Sequence, residues 1–141
     1  MWRVLMIALT LALAGCQQLP LTPEDIQARK FEAVPDKAVI YLVRDSPDFS
    51  SIQSQISVGD KLLLKTYPGT YYRWEVPPGM HRISGYGSDI GTIGVQAERG
   101  RVYFVQQRVS GLYMANSAFA LVGEPQGRAA VLRAILLAPG Q

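Results

Sequence analysis

The sequence predicts a mainly β fold: a β-sandwich or small barrel of about seven antiparallel strands, with a short N-terminal helix and a C-terminal amphipathic helix. Three observations predict it. Ile56, Val58, Leu62, Leu64, Tyr72, Trp74 and Val76 occupy alternate positions with Ser57, Lys61, Lys65, Arg73 and Glu75 between them, the period-two pattern of sheets with one buried and one wet face. Turn residues (Gly59-Asp60, Pro68-Gly69, Pro77-Pro78-Gly79) punctuate the same stretch. Ala38 to Arg44 is an apolar, β-branched run with the character of a central strand.

The chain has 141 residues, is 48% hydrophobic and 18% charged, and carries a formal net charge of +3, consistent with one domain. Charges of both signs are interspersed, and no basic stripe points to nucleic acid. Residues 1–15 follow a secretory plan, with Arg3 before the apolar run Val4 to Leu13. That run is too short for a membrane span, which needs roughly 20 apolar residues. Its end, Leu13-Ala14-Gly15-Cys16, resembles the lipobox of bacterial lipoproteins at every position. The resemblance implies cleavage before Cys16, a diacylglyceryl thioether on that cysteine, N-acylation, and a lipid bilayer as partner through the acylated Cys16. Two acyl chains already anchor a protein stably, at about 0.8 kcal/mol per buried methylene. Gln17 rather than Asp follows, which in that class implies the outer membrane. Cys16 is the only cysteine, so once acylated it leaves the domain no disulfide, thiol nucleophile or thiolate metal site. The expected organisation is a removed leader (1–15), a tether with a short helix (16–37), and a β-sandwich with its C-terminal helix (38–138).

Thr22-Pro23-Glu24-Asp25 reads as a helix start, with Thr as cap, Pro at the first helical position and acids in the first turn. The helix is expected to reach about Ala33 and to lie loosely on the domain or in a stalk, because its apolar face (Ile26, Phe31, Val34) is thin. After the central strand, Asp45 to Ser54 reads as a loop. Pairing Val58 with Leu62 keeps four aliphatics on one face. Closing Pro77-Pro78-Gly79 with Val76 opposite His81 would set Trp74 against Ile83 inside and Glu75 against Arg82 outside. Further strands are expected at Ile83–Tyr86, Thr92–Ala97, Val102–Val109 and around Phe119–Val122. Glu124-Pro125 opens a helix expected to run through Leu137, with Val131, Leu132, Ile135 and Leu136 on its buried face.

The ordered segments Ala38-Val39-Ile40-Tyr41-Leu42-Val43-Arg44, Pro68-Gly69-Thr70-Tyr71, Val76-Pro77-Pro78-Gly79-Met80-His81-Arg82-Ile83 and Val102-Tyr103-Phe104-Val105, together with the lipobox, resemble a family of proteobacterial lipoproteins catalogued only as a domain of unknown function. The resemblance covers roughly Asp36 to Leu137. It implies a β-sandwich on a lipid anchor and assigns no activity.

His81 is the only histidine, and no Cys, second His or spaced acid cluster completes a zinc site, so no metal or cofactor is expected. Beside a turn it reads first as a structural histidine bonding a turn carbonyl. The sharper alternative makes it a general base with Asp89 or a serine as partner, although no Gly-x-Ser-x-Gly or Ser-x-x-Lys marks that serine. Tyr72, Trp74 and Phe104 are expected inside. Tyr71 is placed on the outward face beside Arg73 and Arg82, a candidate surface for sugars or peptides. Gly111-Leu112-Tyr113-Met114 and Ala118 to Val122 form an apolar stretch that the C-terminal helix is expected to cover. The leading functional expectation is a non-enzymatic, membrane-tethered domain that binds an envelope protein or polymer. The alternatives are an envelope glycan or peptide hydrolase using His81, and a carrier of a small apolar ligand beneath the C-terminal helix.

Overall fold

An unbroken apolar strand needs a neighbour on each edge and a layer on each face, and β1 (Ala38–Arg44) has all four, being buried along its whole length. The computed structural model describes residues 20–59 and 61–138, so Leu13, Ala14, Gly15 and Cys16 lie outside the described residues. Around β1 stand β2 (Ser54–Val58), β3 (Leu62–Thr66), β4 (Thr70–Val76), β5 (Gly79–Gly85), β6 (Thr92–Ala97), β7 (Val102–Ser110), β8 (Asn116–Val122) and the short β9 (Ile135–Leu136). Two helices complete the order, α1 (Pro23–Ala28) before β1 and α2 (Glu124–Leu132) between β8 and β9.

The strands form two sheets packed as a sandwich. One runs β8-β7-β1-β4-β9 and the other β3-β2-β5-β6. The second sheet is wholly antiparallel, and Val58 pairs with Leu62 as the alternation requires. The first is mixed, because β1 lies parallel to β7 and β4 parallel to β9. Between the sheets, Ile40, Leu42, Tyr72 and Val105 meet Ile56, Ile83 and Val95. The opposite face of the first sheet is also covered. There Val39, Tyr41, Val43, Tyr71 and Phe104 pack against Ala28 and Phe31 of the α1 segment and Ala130 and Val131 of α2. Each such large side chain contributes about 1.5–3 kcal/mol on burial, so both layers are structural.

Several expectations are corrected. No hairpin joins Val76 to His81. Val76 pairs with Ala38 in one sheet and His81 with Val95 in the other. Pro77 and Pro78, which lack the N–H that a ladder needs, carry the chain across from sheet to sheet. Trp74 and Ile83 still meet inside, but from opposite sheets. Glu75 faces Arg73 and Lys37 rather than Arg82. Phe104 is buried as expected, and its place is the helix-covered layer. The N-terminal helix stops at Ala28, and Phe31, at φ 55, turns the chain so that its ring lies 5.4 Å from Tyr41 and 5.8 Å from Phe104. The C-terminal helix stops at Leu132, because Ile135 and Leu136 pair with Thr70 and Tyr71 at the sheet edge.

Candidate functional site

The first sheet is not closed along β4. β9 pairs only with Thr70 and Tyr71, and the Leu137 N–H reaches the Tyr71 carbonyl at 2.8 Å. Strand period two turns the backbone groups of Arg73 and Glu75 to the same side as those of Tyr71. Among the described residues no strand pairs with them there. This edge lies in a cleft of about 800 Å³, within the size range of ligand sites. Glu24 and Gln27 of α1 and the following Glu32 form one wall, Arg73 and Glu75 the floor, and Leu136 and Leu137 the other wall.

The cleft is built on a buried ionic lock. Asp25, on the third helical position after the Thr22 cap, accepts from Arg29 Nε at 2.6 Å, the Tyr71 hydroxyl at 2.6 Å and the Leu136 N–H at 3.0 Å. Burial pushes the Asp25 carboxyl upward, but these donors outweigh it and hold it below the ordinary carboxylate value. Burial and the adjacent Asp25 carboxylate push the Tyr71 hydroxyl well above its usual range, so it remains a donor. Arg29 also forks to the Leu132 and Ala134 carbonyls at 3.0 and 2.6 Å, tying α1 to the end of α2. Arg73 donates to the Tyr41 hydroxyl at 3.2 Å and stands over that ring at 5.9 Å, which orients its guanidinium along the cleft floor.

The candidate surface of Tyr71, Arg73 and Arg82 is therefore split. Tyr71 is 1% exposed beneath α1, Arg73 is half-buried, and Arg82 is exposed on the other sheet. His81 is half-buried, and its ring Nε2 lies 2.7 Å from the Pro77 carbonyl oxygen at the sheet-switching corner, matching the structural reading of that residue. Asp89 is not its partner, because it packs against Gly85 at the far end of β5 and bonds Ser117 Oγ at 2.6 Å.

That Asp89–Ser117 contact belongs to a buried polar network between the sheets, which the sequence reading missed. Thr66 donates to the Gln107 side-chain oxygen at 2.8 Å, and the Gln107 amide donates to Ser54 and Ser117 at 3.0 and 2.9 Å. Beside it Arg44, fully buried, meets Asp48 at 2.7 Å and the Thr66 and Ser50 carbonyls at 3.1 and 2.6 Å. The available signal was a charged or amide residue at an inward strand position (Arg44, Gln107), which folds only with partners nearby. Beneath α2, where the carrier reading expects a cavity, Phe31, Tyr41 and Phe104 pack in one buried cluster with Val131 of the helix. Among the described residues no cluster of His, Cys, Asp or Glu is arranged to hold a metal ion. No protein-family model matches the chain, and no curated protein matches its sequence.

Proposed function

We propose that the chain is a lipid-anchored envelope protein whose sandwich domain binds an extended segment of an envelope protein or polymer along the open edge of β4. The observation that carries the binding half is the cleft, where the backbone of Arg73 and Glu75 faces about 800 Å³ of space. An added strand gains main-chain hydrogen bonds at such an edge, while alternate side chains meet the walls. Glu24 and Glu32 make one wall acidic, the other wall is apolar at Leu136 and Leu137, and Glu75 on the floor is paired with Arg73, so segments that combine a Lys or Arg with apolar side chains at alternate positions are favoured. The anchoring half rests on Leu13-Ala14-Gly15-Cys16 and the apolar run before it.

Photocrosslinking in living cells tests it. A crosslinking side chain at Gln27 or Glu75 should give the same discrete adduct, and one at Arg82 on the opposite sheet should give none. Identical patterns from all three positions, or adducts from Arg82 alone, would contradict a partner in the cleft. His81→Ala should leave the adduct intact; its loss in a folded protein favours the hydrolase alternative.

A further inference from the structure

Four loops gather at the end of the sandwich where β1 finishes: residues 45–53, 67–69, 86–91 and 111–115. Their surface is inverted relative to ordinary loops, which are polar outward. Every carboxylate in them turns inward or is paired. Asp45 meets Arg133 at 3.2 Å, Asp48 lies against buried Arg44, and Asp89 accepts from the Ser117 N–H and hydroxyl. The large apolar side chains turn outward. Ile90, Leu112 and Tyr113 are 88%, 84% and 96% exposed, and Phe49, Tyr86 and Met114 are each more than half exposed. The C-terminal helix expected to cover Leu112 to Met114 packs instead on the face of the first sheet, over Phe104.

The loops are held as one rim. Ser50 Oγ donates to the Gly111 carbonyl at 2.6 Å, Tyr67 to the Gln53 side chain at 2.8 Å, and Ser88 Oγ to Met114 Sδ at 3.5 Å. Gly91 approaches so closely that a Cβ there would stand 1.9 Å from the Ser117 carbonyl oxygen. Cations border the rim: Arg108 lies under the Phe49 ring at 5.3 Å, and Lys65 is exposed on β3 near its edge. The opposite end of the sandwich carries exposed Asp36, Lys37, Lys61, Glu98, Arg99 and Arg101 instead.

The geometry points to the rim as a lipid-contacting surface that dips into the headgroup region of an anionic bilayer. Aliphatic and Tyr tips, inward carboxylates and bordering cations are the chemistry of an interfacial contact. Chain length agrees, given the anchoring proposed above. Cys16 precedes Thr22 by six residues, a span of at most about 20 Å, which keeps the domain against the membrane that holds the lipid. The rim then fixes which way the domain faces and leaves the β4 cleft at its side free.

The test uses full-length chain purified from host membranes and reconstituted into phosphatidylethanolamine–phosphatidylglycerol vesicles with and without brominated acyl chains. Single Tyr113→Trp, Ile90→Trp and Leu63→Trp variants report on the rim twice and on β3 once, after subtraction of the parent protein's tryptophan signal. Bromination should lower emission from positions 113 and 90 at least twofold and leave position 63 unchanged. Adding Leu112→Asp and Met114→Asp, both at exposed sites, should abolish quenching at position 90. Emission at 113 and 90 as insensitive as at 63 overturns the proposal and leaves the rim to a protein partner. Quenching at 90 that survives the double Asp change also overturns it. A missing lipid on Cys16 lowers how much protein floats with the vesicles, whereas a failed rim leaves protein floating with position 113 unquenched, so the two failures are distinguishable.

Discussion

At the residue scale, Asp25 decides whether the N-terminal segment is stalk or structure. Its carboxylate is buried among three donors that would otherwise lie unpaired beneath α1. Removing one partner of a buried ionic pair costs about 3–5 kcal/mol, and Asp25→Ala should fall near 3 kcal/mol because Arg29 retains two carbonyl partners. The folded-state pKa of Asp25 is depressed, so its contribution is fully present above the unfolded value near 3.9. It is lost as pH falls through the lower folded value. Urea unfolding of wild type and Asp25→Asn should thus show a gap at pH 7 that narrows at pH 3. An equal gap at both pH values would mean that the charge contributes nothing. Neither Asp25 nor Tyr71 was legible as a pair. The Thr22-Pro23 start marks the helix, but its docking depends on Tyr71, which is 46 positions away in sequence.

At the element scale, the sequence was read well where local pattern decides and poorly where sheet membership does. Ala38–Arg44 and Thr92–Ala97 stand as strands with the expected bounds, because apolar runs and flanking turn residues are local signals. The Val76–His81 hairpin failed because Pro-Pro-Gly reads equally as a tight turn and as a corner between sheets. Alternation alone puts Tyr71 on the outward face, because it implies one wet face. The unbroken apolar β1 beside it already required cover on both faces, and α1 and α2 supply it. The seat of α2 makes a test with opposed expectations. Gly127→Ala in an exposed helix would gain about 1 kcal/mol. Here the new Cβ would stand 2.2 Å from Phe104 Cγ, close to that ring's root. Overpacking of this kind typically costs about 1–3 kcal/mol, so a lower denaturant midpoint at unchanged slope is expected; a higher midpoint would show that α2 is free to shift.

At the scale of the whole molecule, the sandwich has two unlike ends, and β9 covers only part of the β4 edge of its first sheet. Buried Arg44, Gln107, Ser117 and Asp89 hold the rim loops from within, which draws the loop carboxylates Asp48 and Asp89 inward and leaves large apolar side chains facing out. The apolar stretch at Leu112 to Met114 was visible in the sequence. That it would stay uncovered was not, since the destination of α2 is a tertiary fact. The β4 cleft was likewise hidden, because it exists only where β9 ends and α1 folds back. The proposed account, a domain held at a membrane and open to a partner along its side, begins at Cys16. Its most direct test is the intact mass of the N-terminal peptide from protein extracted from the membranes of a bacterial host. A chain beginning at Cys16, heavier by a diacylglyceryl group and an amide-linked acyl chain, is the predicted result. A chain that begins at Met1 or is cut elsewhere, with an unmodified Cys16 thiol, would contradict it.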